Sequence, residues 1–352
     1  MSSGIATQLF QHSPVWLQNQ AISAYGLLLR RRRYGGEFRH IHAELQASDR
    51  YSKAALLELQ TRLLRTTVKH ALARVPYYRQ FNGPGSNNLA SMSQQDILAM
   101  FPVLTKAALK AAPEQFLAQD SGPTVAIQTS GSTGSPLRVT TTASAVRRNY
   151  AFFARFLGWH GVTPFDESAT FAGRLFVGPG ATSTVQWRRN AAMNDTLFSS
   201  YHLTEESIPF YVRELEKRQP AFIDSYPSSI YRIASFLESH GQQHRIRPKV
   251  IVTSSETLLD YQRKTIMRVF GCPVRDQYGS AEMAGFFAEC EQGRYHVAAE
   301  YGSVQVVDSS GTPLPVGEPG QLCLTGFINP AMPLVRYLIG DMARLSADSC
   351  AC

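Results

Sequence analysis

The stretch Thr129-Ser130-Gly131-Ser132-Thr133-Gly134-Ser135-Pro136 gathers hydroxyls and glycines directly after an apolar run, Val125-Ala126-Ile127. Glycine lets the backbone approach a ligand closely and adopt positive φ, so that N–H groups turn inward as they do around a phosphate. Serine and threonine add donors without bulk. The loop is not a Walker-type P-loop, which carries a Lys-Ser/Thr pair after its last glycine. A plain Ser/Gly turn has the same composition. A second cluster, Tyr278-Gly279-Ser280-Ala281-Glu282, offers a ring that can stack on a base and a carboxylate that can hold Mg²⁺ against phosphates. A third, Arg336-Tyr337-Leu338-Ile339-Gly340-Asp341, places an acid after a strand-like run, where it can accept both hydroxyls of a ribose. Each alone also reads as an ordinary turn. In this order they describe a nucleotide site.

The elements around them are legible as patterns. Residues 1–50 show no clear period, with Trp16, Tyr25 and Leu27-Leu28-Leu29 as anchors onto a body. From 52 to 75 the pattern is helical: Leu56, Leu59, Leu63, Leu64, Val68 and Leu72 share a face, Ser52 caps it and Pro76 stops it. Ser93 and Asp96 form a capping box, and 143–157 reads as another helix. Further on, apolar runs at 221–224, 250–253 and 273–275 alternate with helix-like stretches at 227–240 and 258–270. That alternation predicts right-handed crossovers and a parallel sheet, with ligands beyond the carboxyl ends of the strands. Beyond Asp276, short runs at 285–289, 294–297, 303–307, 321–325 and 334–337 predict a smaller antiparallel β subdomain.

Composition bounds the rest. The 352 residues suffice for two domains, and 44% hydrophobic residues with 11% aromatics is the make-up of a folded α/β protein. The net charge of +8 permits an anionic ligand. Its densest cluster, Arg30-Arg31-Arg32-Arg33, reads as a solvated basic turn, the alternative being a membrane or polyanion patch. No basic stripe is interleaved with aromatics, so nucleic-acid recognition is not expected. No apolar run approaches the ~20 residues that span a bilayer. The N-terminal charges follow the apolar stretch, unlike those of a signal peptide, and five cysteines without an export signal argue for the cytoplasm. Oligomeric state is not readable. No His-Glu-x-x-His pattern and no Gly-x-Ser-x-Gly elbow occurs, which removes zincin and α/β-hydrolase chemistry.

The three clusters, in order and spacing, resemble the adenylate-forming superfamily, and within it the phenylacetate–CoA ligase and CapK branch. Val75-Pro76-Tyr77-Tyr78-Arg79, Tyr226-Pro227-Ser228-Ser229-Ile230, Thr253-Ser254-Ser255-Glu256-Thr257-Leu258, Phe287-Ala288-Glu289-Cys290 and Tyr295-His296 extend the resemblance from about residue 50 to the end. It implies parallel α/β sheets with a small β subdomain, divided as an extension at 1–50, an adenylation core at 51–284 and a β subdomain at 285–352. Carried over residue by residue, Thr129, Ser130, Gly131, Ser132, Thr133 and Gly134 embrace the β- and γ-phosphates. Ser254, Ser255 and Glu256 border the adenine, and Tyr278, with Gly279 and Ser280, stacks on it. Glu282 binds Mg²⁺ and Asp341 holds the ribose. The implied reaction is attack of a small carboxylate, aryl or acyl, on the α-phosphate of ATP. It gives an acyl-adenylate and pyrophosphate, with CoA or another group as acceptor.

Departures accompany the resemblance. Ser135 stands where relatives often carry lysine, leaving Arg138 as the nearest cation for a catalytic role. Ala281 replaces a hydroxyl residue, and Leu338 and Ile339 replace Arg and Thr. Relatives continue into a mobile C-terminal domain bearing a lysine, so weak adenylation by this chain alone is expected. Two other outcomes stay open: acyl transfer in polysaccharide or secondary-metabolite biosynthesis, as CapK-like proteins suggest, and a non-catalytic nucleotide-binding descendant.

The cysteines carry one more expectation. Cys290 and His296 form Cys-x5-His, and Cys350 and Cys352 form Cys-x-Cys. Together they offer four soft ligands for a structural Zn²⁺, and the resemblance also suggests a zinc knot here. Buried thiols and an ordinary histidine are the alternative. Cys272 and Cys323 read as core residues.

Overall fold

The computed structural model describes residues 3–82, 88–128, 137–176 and 185–352. Helices α1 (Ser3–His12), α2 (Val15–Tyr34), α3 (Phe38–Ser48), α4 (Lys53–Arg74), α5 (Pro76–Arg79) and α6 (Gln94–Ala99) come first. Strand β1 (Leu104–Thr105), α7 (Lys106–Ala111), β2 (Thr124–Gln128), β3 (Arg138–Thr142) and α8 (Ala143–Trp159) follow. The middle holds β4 (Ser168–Ala172), β5 (Trp187–Asn190), β6 (Asp195–Ser199), α9 (Ile208–Arg218), β7 (Phe222–Ser225), α10 (Pro227–Ser239), β8 (Val250–Thr253), α11 (Asp260–Phe270) and β9 (Val274–Gly279). The last strands are β10 (Phe286–Glu289), β11 (Tyr295–Val297), β12 (Gly302–Val307), β13 (Gly320–Gly326) and β14 (Tyr337–Ala343). The chain divides into two compact units, and neither is continuous in sequence. The first comprises Met1–Gly35, Ala154–Gln277 and Glu289–Gly293; the second comprises Gly36–Phe153, Tyr278–Ala288 and Arg294–Cys352.

In the first unit the strands run in the order β9-β8-β7-β4-β6-β5. β8 pairs parallel with β9 and β7, and β4 pairs parallel with β7 and β6. β5 returns antiparallel beside β6. The expected crossovers are there: α10 links β7 to β8 and α11 links β8 to β9. Every residue of β8 is buried, as a strand covered on both faces requires. Tyr211, Val212 and Leu215 of α9, Ile230 and Ile233 of α10 and Ile266 and Val269 of α11 form one core with Phe171, Ile223 and Ile251.

The second unit carries a sheet in the order β1-β14-β13-β12, with β13 antiparallel to both neighbours and β1 parallel to β14. β2 and β3 make a separate antiparallel hairpin. The helix expected at 52–75 is α4; the Ser52 hydroxyl accepts from the Ala55 N–H at 3.2 Å, and Pro76 opens α5. Leu64, Val68 and Leu72 of α4 pack with Tyr78, Phe101, Phe116, Leu324 and Tyr337. Tyr78 is fully buried, and its hydroxyl accepts from the Val335 N–H at 3.0 Å.

Three expectations from the sequence are corrected. Residues 1–50 are not irregular but hold α1, α2 and α3. The period was hidden because α2 docks through polar side chains, as described below. The short runs after Asp276 do not form one subdomain: β10 and β11 follow β9 in its sheet, and only β12, β13 and β14 join the four-stranded sheet. The run at 334–337 is not a strand. Arg336 has φ +50, and its guanidinium donates to the Phe101 and Gly311 carbonyls and to Gln305. The strand therefore begins at Tyr337, and Asp341 lies inside β14 rather than after it.

Candidate functional site

Tyr278 and Gly279 close β9, and in the second unit four sequence-selected positions meet there. The Tyr278 ring lies parallel to Phe287 of β10, with centroids 5.0 Å apart and planes at 11°. Its hydroxyl donates to Asp341 Oδ2 at 2.6 Å. One turn further, Glu282 is only 4% exposed. Its Oε1 accepts from the Tyr337 hydroxyl at 3.2 Å and lies 3.5 Å from Lys106 Nζ at the start of α7. Burial pushes both phenols well above the usual tyrosine range, and the neighbouring carboxylates push the same way. Both tyrosines therefore stay protonated and act as donors.

The backbone around Glu282 is constrained. Met283 has φ +54, an uncommon conformation for a residue with a side chain. Gly326 of β13 passes so near that a Cβ there would lie 2.6 Å from the Met283 carbonyl oxygen. Among the described residues the buried Ser280 hydroxyl has no hydrogen-bond partner. A buried polar atom left so is a donor awaiting an acceptor. Two carboxylates, an aromatic face and an unsatisfied hydroxyl suit a ribose, a base and a hydrated cation. A carboxylate oxygen is the hard donor that Mg²⁺ takes, so Glu282 fits that ion.

The other expected residues stand elsewhere. Thr129, Ser130, Gly131, Ser132, Thr133 and Gly134 lie outside the described residues. Arg138, just beyond them, is exposed and is the register partner of Gln128 at the end of the β2–β3 hairpin. Ser254, Ser255 and Glu256 follow β8 in the first unit. Ser255 has φ +70. Glu256 accepts from the Ser228 N–H and hydroxyl, both at 3.0 Å, so it neutralises the N-terminus of α10. Sequence reasoning gave no role to Lys106, Phe287 or Tyr337. Tyr337 could have been found from its place in the third cluster, but Lys106 is remote in sequence and carried no signal.

For the soft ligands, His296 Nε2 and Cys352 Sγ are 3.3 Å apart, and the ligand atoms of His296, Cys350 and Cys352 lie within 4.8 Å of one another. Zn–N and Zn–S bonds of about 2.1 and 2.3 Å put tetrahedral ligands roughly 3.5–4 Å apart, so this set fits Zn²⁺. Cys290 is buried just after β10. Cys272 and Cys323 are core residues, as the sequence suggests.

The chain belongs to the AMP-binding enzyme family, whose model matches residues 54–329. Among curated relatives, Protein CapK of Staphylococcus aureus is 27% identical over 340 residues, covering 97% of this chain and 73% of that protein. The phenylacetate-coenzyme A ligase of Escherichia coli (strain K12) is 27% identical over 307 residues, covering 82% of this chain and 67% of that one. The ligase of the same name from Thermus thermophilus is 25% identical over 314 residues, with 84% and 67% covered. Among solved structures, 2-hydroxyisobutyryl-CoA ligase in its postadenylation state superposes with a TM-score of 0.63 at 20% identity, covering 84% of this chain and 63% of that one. That likeness shows the adenylate-forming fold. The sequence resemblance to the phenylacetate–CoA ligase and CapK branch is thereby established, and this chain is an adenylate-forming ligase homologue of α/β fold.

Proposed function

We propose that this chain binds ATP with Mg²⁺ and activates a small carboxylic acid, aryl or acyl, as its adenylate for transfer to CoA or another acceptor. The observation that carries the reading is the cluster of Tyr278, Asp341, Glu282 and Tyr337 in one unit. In the proposal Asp341 accepts from the ribose hydroxyls and the free face of Tyr278 receives the adenine. Ser280 donates to a phosphate oxygen. Mg²⁺ at Glu282 neutralises phosphate charge, the chemistry a cation supplies to such a transfer. Ser254, Ser255 and Glu256 border the base, and the loop at 129–136 embraces the terminal phosphates, with Arg138 at its base. Attack by the substrate carboxylate is then a matter of positioning and charge neutralisation. Zn²⁺ held by His296, Cys350 and Cys352, with Cys290 as fourth ligand on its sequence spacing, has a structural role in this proposal.

The test is a hydroxamate and pyrophosphate-release screen over aryl and aliphatic acids, run beside ATP and AMP binding with and without Mg²⁺. Acid-dependent pyrophosphate release supports the proposal. Nucleotide binding without release across the panel assigns the chain to a non-catalytic nucleotide-binding role. No nucleotide binding at all overturns the site.

A further inference from the structure

Helix α2 is amphipathic in the wrong sense for a buried helix. Its inward face is polar. Gln18 is buried, donates to the Phe10 and Ser13 carbonyls at 2.7 and 2.9 Å, and accepts from Arg188 of β5. Asn19 Oδ1 accepts from the Arg189 N–H at 2.9 Å, and the Ser23 hydroxyl accepts from the Ala191 N–H at 3.0 Å. Gly26 sits where any Cβ would overlap the Asn190 side chain. These positions recur at helical spacing and fix the helix on β5 within the first unit.

The outward face is apolar. Trp16 is 66% exposed, Tyr25 59% and Leu28 67%, with Leu17 and Leu27 beside them and Leu9 of α1 at 68%. A helix that turns tryptophan, tyrosine and leucine outward while spending its polar groups inward presents a surface that water does not favour. The charge pattern is one-sided. Residues 3–36 contain no Asp or Glu, and Arg30, Arg31, Arg32 and Arg33 stand together at the C-terminal end of the helix. Arg30 is already used, donating to the Ala192 carbonyl at 3.1 Å and lying over the Phe165 ring, whereas Arg31 is exposed. No helix among the described residues is long and apolar enough to cross a membrane.

We infer that the outer face of α2, with Leu9 of α1, is a docking surface for an anionic lipid bilayer. Leucine, tryptophan and tyrosine enter the headgroup boundary and arginine meets acidic headgroups, the division of labour of helices that lie in the interface plane. Charge complementarity selects this occupant. A second copy of the chain would bring the same arginine cluster against itself.

The test is co-sedimentation of the purified protein with vesicles of phosphatidylglycerol and phosphatidylcholine, against phosphatidylcholine alone. Binding is expected at least about tenfold tighter to the anionic vesicles and lost at ~0.5 M salt, where surface charges are screened. The variant W16A/L28A keeps the polar contacts of α2, so its thermal unfolding should match the parent while vesicle affinity falls about tenfold or more. R31E should fall in the same direction and lose most of its salt dependence. Protein that stays in the supernatant with both vesicle types overturns the inference. A dimer that dissociates on W16A/L28A while vesicles bind nothing overturns it too, and assigns the face to a second copy.

Discussion

Tyr278 donates its hydroxyl proton to Asp341 across 2.6 Å, joining the end of β9 to the middle of β14. The bond aims the carboxylate and leaves Asp341 Oδ1 as the oxygen a ribose would reach first. Because burial and the carboxylate itself keep the phenol protonated, this donor persists across the working pH range. Asp341→Ala should therefore weaken AMP binding at least tenfold, since a buried charged acceptor is worth about 1.5–3 kcal/mol. Tyr278→Phe keeps the ring on Phe287 and should cost about threefold to tenfold. Calorimetric titration of the two variants and their combination should show coupling; independent, additive losses would contradict it.

Glu282 is set apart from Asp341 by what it is proposed to hold. Glu282→Gln preserves the shape of the side chain and the bond from Tyr337 but removes its charge. ATP affinity in the presence of Mg²⁺ should fall about tenfold or more, while AMP affinity without Mg²⁺ should change by less than about threefold. Equal losses in both titrations would place the residue against the nucleotide rather than the metal.

Removing zinc gives a separate readout. Purified protein should contain close to one zinc per chain, and chelation should lower the melting temperature by several degrees because metal affinity is folding free energy. Cys352→Ser, at an exposed position, should lose the metal without disturbing the core. Metal analysis finding no zinc would end the proposal.

How far the sequence led depends on where the chemistry of each element lay. The strands β7, β8 and β9 and the helices between them were legible because each is uniformly apolar or periodic and bounded by turn residues. The order of the clusters around Tyr278, Glu282 and Asp341 was legible because chemistry fixes residue types there. The strands β4, β5 and β6 were not. β5 carries Trp187-Arg188-Arg189-Asn190, and Arg188 is fully buried because the polar face of α2 meets it. Neither partner looks like a core element alone; only the pairing makes sense of both. Lys106 escaped for the same reason, since nothing local marks a lysine that will lie against Glu282.

Arg263 and Glu289 show the cost of such a pairing inside the first unit. The guanidinium grips the buried carboxylate at 2.9 and 2.7 Å, and Glu289 also accepts from the Asp276 N–H at 2.8 Å. Arg263→Ala leaves a buried charge with one weak donor and should destabilise by about 2–3 kcal/mol, below the full range for a buried pair because Arg263 is partly exposed. The double variant R263M/E289M should recover part of this but not all, because the Asp276 N–H then lacks its acceptor. Urea unfolding of the three variants measures it; an Arg263→Ala loss under about 0.5 kcal/mol would show the pair to be a surface contact.

The parallel sheet of the first unit also predicts a pH dependence. Asp195 at the start of β6 accepts from the Ser168 hydroxyl at 3.1 Å and the Thr170 hydroxyl at 3.0 Å, yet burial still pushes its carboxyl up to about 6. Asp224 on β7 is pushed to about 7, by burial first and then by the charge of Asp195. An unfolded aspartate titrates near 3.9. Between pH ~4 and ~7 the folded chain therefore holds more protons at this pair than the unfolded chain does. Stability from the pair is complete below the unfolded value and is lost as pH rises through 6 and 7. Asp224→Asn removes the later titration and the repulsion together. Relative to the variant, the parent should melt roughly 2–5 °C lower at pH 8 than at pH 5, with the gap closing toward acid. Melting curves that run parallel across that interval would show that Asp224 is solvated and its carboxyl unshifted. A gap that opens toward acid instead would mean the buried form is the carboxylate, held by Arg174 and Arg189, the cations that oppose the shift at Asp195.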